Sequence, residues 1–181
     1  MLETERLFLR PMNENDADSV FAMRSDEDVM QFIRAPQMKK SEAQGWINLV
    51  SSRWEKDKIG FCAVIEKSSN QFVGWCGLWL LAETKEIEVG YALFKEFWGK
   101  GYAIEASEAF LNYGFEELNL ERIVAVASPE NKNSRRVMEK IGMNYDFIGK
   151  FYERDLVHYS ITREEFFNAK TQRREDAKIF L

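Results

Sequence analysis

The chain has 181 residues, 45% hydrophobic and 30% charged, with 25 Lys and Arg against 30 Asp and Glu for a formal charge of −5. That length fits one domain with an appendage, able to bury roughly 70% of the surface its unfolded form exposes. The acidic balance argues against a polyanion such as DNA as partner. Two cysteines, Cys62 and Cys76, are too few for a disulfide framework. The charged residues 1–10 do not resemble a signal peptide, and no run of about 18 apolar residues reads as a membrane span. The expectation is a reduced, cytoplasmic protein with no membrane and no nucleic-acid partner. A single histidine, His158, excludes a His-rich metal site and leaves a Ser–His–Asp triad only that residue to use. Catalysis must then run on carboxylates, tyrosines, backbone groups or a cofactor.

Residues 7–10 alternate as a first strand. Pro11 follows, and Asn13 with Asp16 three residues later marks a helix start, with Ala17, Val20, Phe21 and Arg24 at helical spacing. Ser41 and Gln44 give an S-x-x-Q capping pattern ahead of the stripe Ala43, Trp46, Ile47, Val50 and Trp54. Gly60–Glu66 and Phe72–Leu80, joined by Ser68, Ser69 and Asn70, read as a hairpin. A third strand over residues 86–94 puts Ile87, Val89 and Tyr91 on one face and Glu86, Glu88 and Gly90 on the other. The long helix after it is apolar or small from 103 to 118 except for a polar stripe, Glu105, Glu108, Asn112 and Glu116, which ends at Asn119, so most of its surface must be covered.

Arg122–Ala127 reads as a strand. Ser134, Val137, Met138 and Ile141 mark the inward stripe of a short helix closed by Gly142. Residues 145–151 and 156–161 are two late strands, and residues 163–181 a charged tail. No repeat or linker divides the chain, so residues 1–181 form a single domain. A helix long enough to cross between parallel strands, flanked by hairpins, predicts an α/β or α+β fold around a mixed sheet.

Trp98, Gly99, Lys100, Gly101, Tyr102 and Ala103 stand between the third strand and the long helix. The first four N–H groups of a helix lack partners, and the dipole adds about half a positive charge there. Glycines at 99 and 101 let the backbone turn tightly and approach an anion without a Cβ, so a phosphate or pyrophosphate is a natural guest. A glycine-rich turn that merely caps a helix satisfies the same pattern. A Walker A loop does not fit, because Lys100 is followed by Gly101 rather than Ser or Thr. The dinucleotide fingerprint fails at Ile104, where it needs glycine or alanine.

Three stretches in order, LETERLFLRP from residue 2, FWGKGYAIEASEAF from 97 and ENKNSRRVMEKIGM from 130, resemble the GNAT superfamily of acyl-CoA N-acyltransferases, and within it the RimJ/RimL-like branch of ribosomal-protein N-acetyltransferases. In the superfamily pattern Q/R-x-x-G-x-G/A, Trp98 stands in the first place, Gly101 in the fourth and Ala103 in the last. The resemblance implies a single GNAT-like domain: a mixed, mostly antiparallel twisted sheet with a splayed central parallel pair, flanked by helices. It implies acetyl-CoA as co-substrate, with no metal. The N–H groups around Trp98, Gly99, Lys100, Gly101, Tyr102 and Ala103 would cradle the pyrophosphate. Leu93 and Phe94 would pair with the pantetheine amides as an added strand does, and Asn131, with Ser134 nearby, would hold the arm from the other side. Trp98 departs from the pattern, offering neither guanidinium nor amide. Read from the residues alone, Asn131 is equally a helix N-cap, Ser134 a small residue on a buried stripe and Lys100 a solvated loop charge.

Transfer from a thioester needs a neutral amine, and free lysine and α-amino groups titrate at about 10.4 and 7.8, so a base is expected. Glu88 resembles the strand glutamate that serves several family members as base, with Glu86 in reserve; a solvated strand carboxylate is the plain alternative. A backbone N–H at the strand's end would hold the oxyanion. The departing thiolate, with a parent pKa near ~8.5, needs little acid. The helix position where some members carry a tyrosine acid is Met138 here, and Tyr145, Tyr152 or Tyr159 could substitute. His158 reads as structural. The acceptor would lie against residues 25–41 and 152–155, and the acidic balance suits a cationic amine: a protein N-terminus, a polyamine or an aminoglycoside-like compound. The expected function is acetyl-CoA-dependent acetylation of a primary amine, small molecule or peptide, by direct attack, with a homo-oligomer left open. The alternatives are a non-catalytic acyl-CoA-binding sensor or scaffold and a nucleotide-dependent enzyme.

Overall fold

Among the described residues, eight strands assemble into one sheet, ordered β1-β2-β3-β4-β5-β6-β8-β7. The structure, a computed structural model, describes residues 1–33 and 39–179, with side chains through residue 172. The elements run β1 (Leu2–Glu3), β2 (Leu7–Pro11), α1 (Ala17–Ser25), α2 (Glu27–Met30), α3 (Lys40–Asp57), β3 (Gly60–Glu66), β4 (Phe72–Leu80), β5 (Ile87–Leu93), α4 (Tyr102–Glu116), β6 (Arg122–Ala127), α5 (Lys132–Lys140), β7 (Asn144–Phe151), β8 (Arg154–Thr162) and α6 (Arg163–Ile179). All neighbours are antiparallel except β5 and β6, which α4 connects in parallel. That pair shares one register position, Glu88 opposite Val124. Beyond it the two strands part, leaving a gap at their C-terminal ends, where α4 and α5 also begin. This is the mixed, mostly antiparallel sheet with a splayed parallel pair that the resemblance implies.

Side-chain alternation gives the sheet two faces. One face, with Leu9, Val64, Leu78, Val89, Ile123 and Ile161, buries the apolar sides of α4, α5 and α6. Phe110 and Phe115 of α4 are fully buried there, and truncating either to alanine would cost about 3–5 kcal/mol. The other face carries α1 and α3 against Ala63, Trp75 and Ala92, with Ala43, Ile47 and Val50 of the α3 stripe buried. A smaller apolar group, Leu81, Val124, Phe151 and Leu156, continues that face under β6–β8. Glu88 sits on it, at the edge of the part covered by α3.

Two expectations need correction. Residues 163–178 form a helix rather than a tail: Thr162 and Glu165 make a reciprocal capping box, and Phe166 is buried against Phe115. The cap of α3 is not the pair Ser41 and Gln44 but Lys39 and Glu42, whose carboxylate accepts the Lys39 N–H at 2.8 Å, while Gln44 bonds Asn48.

Candidate active site

Gly99 and Gly101 both adopt left-handed backbone, φ 76° and 84°, and Gly101 is the residue from which α4 starts. These two left-handed residues turn the chain sharply into α4. Among the described residues, the N–H groups of Gly99 through Ile104 have no acceptor, and the first that does is Glu105, bonded to Gly101 O. Six unpaired donors at the positive end of a helix form an anion cradle.

The cradle is braced from behind. Arg6 donates to Lys100 O at 2.9 Å and to Glu105, and its guanidinium lies 4.6 Å from the Tyr102 ring centre. Glu105, expected on a solvent stripe, instead accepts from Thr4 Oγ1, Arg6 N and Arg6 Nε. Burial by itself would raise the Glu105 pKa, but the Thr4 and Arg6 donors outweigh it and hold the carboxyl below its usual range. The Tyr102 side chain turns inward to bond Glu66. Trp98, 40% exposed, spends its indole N–H on Leu93 O at 2.8 Å.

Which amides face the β5–β6 gap follows from register. Phe94 N donates to Val73 O in β4, so Phe94 and the even-numbered residues before it bond toward β4. Tyr91 and Leu93 therefore direct their N–H groups into the gap. Phe94 does not, because its N–H is bonded to Val73 O and its carbonyl accepts Phe97 N, so of the expected pair Leu93 with Phe94 only Leu93 faces the gap. Asn131 caps α5 through Oδ1, accepting Ser134 N at 3.0 Å, and Ser134 Oγ accepts from the Tyr91 hydroxyl. Met138 is buried in the core.

Glu88 is 7% exposed, not a solvated strand carboxylate. Burial pushes its pKa up to about 7; the Tyr152 hydroxyl it accepts opposes that rise, and the charge of Glu83 adds to it. Tyr152 and Glu153 form the two-residue turn between β7 and β8, both left-handed at φ 50° and 60°. Neither is the glycine or asparagine that such a turn prefers, so the turn is strained. It is held by Glu83, which accepts Tyr152 N, and by Arg154, which donates to Phe32 O at 3.2 Å. The hairpin tip thus touches Glu88 through Tyr152 and the chain at Phe32 through Arg154; residues 34–38 of the expected acceptor wall lie outside the described residues.

The reserve carboxylate, Glu86, is engaged elsewhere, 3.5 Å from Arg122 and 3.4 Å from His158 Nε2. His158 is buried, with Nδ1 bonded to Asp146 at 2.9 Å and its ring stacked on Phe147 and Phe151. Among the described residues no group of His, Cys, Asp and Glu is arranged to hold a metal, and no helix is long and apolar enough to cross a membrane.

Residues 6–144 match the Acetyltransferase (GNAT) domain family. The chain belongs to the GNAT acetyltransferase family. It is 31% identical to the uncharacterized N-acetyltransferase p20 of Bacillus licheniformis, over 91% of this chain and 97% of that one. It is also 31% identical to a GNAT-family acetyltransferase of Bacillus anthracis of solved structure, with a TM-score of 0.79 over 90% and 98% of the two chains. Two further structures share the fold at lower identity. A ribosomal-protein-serine acetyltransferase of Vibrio cholerae has a TM-score of 0.74 at 22% identity, over 89% and 96% of the chains. Spermidine N-acetyltransferase of Vibrio cholerae, solved with CoA and spermine, has a TM-score of 0.75 at 18% identity, over 91% and 99%. A GNAT acetyltransferase is an enzyme of the acyltransferase class.

Sequence reasoning missed the partner of Glu88. Tyr152 stands 64 positions away, and the turn that carries it lacks the Asn-Gly signal of a two-residue hairpin.

Proposed function

We propose that this GNAT acetyltransferase uses acetyl-CoA to acetylate a primary amine, with Glu88 as the general base. One observation carries the assignment: a buried carboxyl with its pKa near 7, bonded to a tyrosine, beside the opening of the parallel pair. A base is most effective when it titrates near the working pH. The unpaired amides of Gly99 through Ile104 bind the coenzyme's diphosphate, and the gap-facing N–H groups of Tyr91 and Leu93 are shared between its pantetheine arm and the thioester carbonyl. The site fits that co-substrate through its unpaired backbone donors.

Glu88 accepts the proton of an incoming ammonium, or of the amine as it attacks. Glu83 adds negative charge nearby and attracts the cationic acceptor. Tyr152 donates to the Glu88 carboxylate and orients it. The Tyr91 or Leu93 N–H holds the developing oxyanion. The CoA-bound spermidine enzyme from Vibrio cholerae supports an amine as acceptor.

The test is thiol release from acetyl-CoA by the purified chain with a panel of primary amines: protein N-terminal peptides, polyamines and aminoglycosides. Amine-dependent release that Glu88→Gln abolishes near pH 7 is expected. CoA binding without release across the panel would make the fold a sensor instead.

A further inference from the structure

Along the sheet face that carries Glu88, β4 and β5 set Trp79 opposite Glu88, Gly77 opposite Gly90 and Trp75 opposite Ala92. The two glycines leave room for Phe61 of β3, which stacks on Trp79 at 5.3 Å and meets Trp75 at 4.5 Å. Trp46 of α3 extends the row, 6.0 Å from Trp75. The strip runs from the base for about four residues of strand, roughly 13 Å. Phe61, Trp79 and Trp46 keep part of their surface open.

Two hydrogen-bond donors at the far end have no acceptor. The Trp75 indole N–H is buried and unpaired, on a residue only 8% exposed. Arg24, in the last turn of α1, lies 5.5 Å from the Trp46 ring centre, and its Nε is also buried and unpaired. Its charge has no carboxylate partner among the described residues, and burial lowers its pKa uncompensated. Arg53, at the other end of the strip over Trp79, shows the contrast: it is paired with Asp57. Buried donors are normally satisfied, so a cation and an indole N–H left unpaired around the same Trp46 ring indicate an acceptor supplied from outside.

We infer that the acetyl acceptor is bifunctional, with an amine at Glu88, a flat apolar body on the aromatic strip and an anionic oxygen group, carboxylate or phosphate, at Arg24 and the Trp75 N–H. This rests on the acetyltransferase reading and narrows its acceptor away from polyamines, whose second ammonium would meet Arg24.

The test uses three aryl-ethylamines with nearly the same amine: neutral tyramine, 4-(2-aminoethyl)benzoate and O-phosphotyramine. A charge-assisted hydrogen bond gives the anionic acceptors a kcat/KM about tenfold or more above tyramine. Which anion gains more separates a carboxylate from a phosphate source. Arg24→Met keeps the stem against Trp46 and should collapse that ratio toward one; Arg24→Lys should restore part of it. Calorimetry on the CoA-loaded protein separates this inference from the one it rests on. If nothing is acetylated but the benzoate binds about tenfold tighter than tyramine and loses that margin in Arg24→Met, the transferase reading fails and the anion site stands. Equal preference for all three amines, no binding of either acid, or a margin that survives Arg24→Met overturns it.

Discussion

The Tyr152 hydroxyl donates to the Glu88 carboxylate from the tip of the strained β7–β8 turn. Burial raises the Glu88 pKa and this bond opposes the rise, so the hairpin adjusts the base by a contact distant in sequence. Tyr152→Phe removes the opposing effect and leaves the backbone alone. The midpoint of the pH–kcat/KM profile should move above about 7, with the high-pH plateau reduced less than the rate at neutral pH. An unmoved midpoint would show that the bond does not act on the base.

Glu88→Gln should separate activity from stability. At pH 7 the rate should fall about a hundredfold or more, and the deficit should shrink above the acceptor's own pKa, where the amine is already neutral. Stability should move the other way. The folded pKa of Glu88 is raised from 4.5 to about 7, so the folded state binds more protons in that window and loses stability as pH rises through it. Glutamine never ionises and can still accept the Tyr152 hydroxyl. The variant should be more stable than wild type at pH 8 by about 3 kcal/mol and nearly equal at pH 4, as denaturant unfolding would show.

The glycines of the turn should respond differently. Gly99 has open space where a Cβ would go, whereas a Cβ on Gly101 would sit 3.3 Å from the Arg6 guanidinium. Both φ values are left-handed, so Gly99→Ala and Gly101→Ala should each cost about 1 kcal/mol in backbone strain. Only Gly101→Ala also presses on the brace, so it should raise the KM for acetyl-CoA several-fold more than Gly99→Ala does. Gly101→Val should do so most strongly. A folded Gly101→Val with native CoA affinity would falsify the placement of the diphosphate.

Local patterns made much of this legible from sequence. Gly60–Glu66, Phe72–Leu80 and Arg122–Ala127 occur as strands with those bounds, because alternation and flanking turns mark them. The turn at residues 98–103 was readable because two glycines ahead of a helix have few structural uses. What escaped depends on residues remote in sequence. Glu105 reads as a solvent carboxylate in the α4 pattern, yet Thr4 and Arg6, about a hundred residues earlier, cover it. Glu88 looks like any strand glutamate until Tyr152 and the burial around it are known. The gap-facing amides of β5 are a matter of register with β4, which one strand's pattern cannot supply. The capping box of α6 was present as Thr162 and Glu165 and lost among the charges around it.

Arg6 offers the sharpest test of whether the cradle is preorganised. Its guanidinium joins Lys100 O, the Glu105 carboxylate and the Tyr102 ring, tying the β1–β2 turn to the first turn of α4. With Lys100 O held from behind, the neighbouring unpaired amides need no reorganisation when the anion arrives. Arg6→Met keeps much of the packing over Tyr102 and loses the donors. Because Arg6 is partly exposed, the loss should cost only about 1 kcal/mol of stability. Acetyl-CoA KM should rise several-fold with kcat nearly unchanged, since Glu88 and the acceptor side are untouched. Glu105→Gln should follow the same pattern at pH 7. Its carboxyl pKa is depressed in the folded state, so its contribution to stability is present above about 4.5 and lost as pH falls through the folded pKa. The two proteins should converge in unfolding free energy under acid while differing at neutral pH. A fall in kcat with KM unchanged in Arg6→Met would place its effect on the chemical step and not on the cradle.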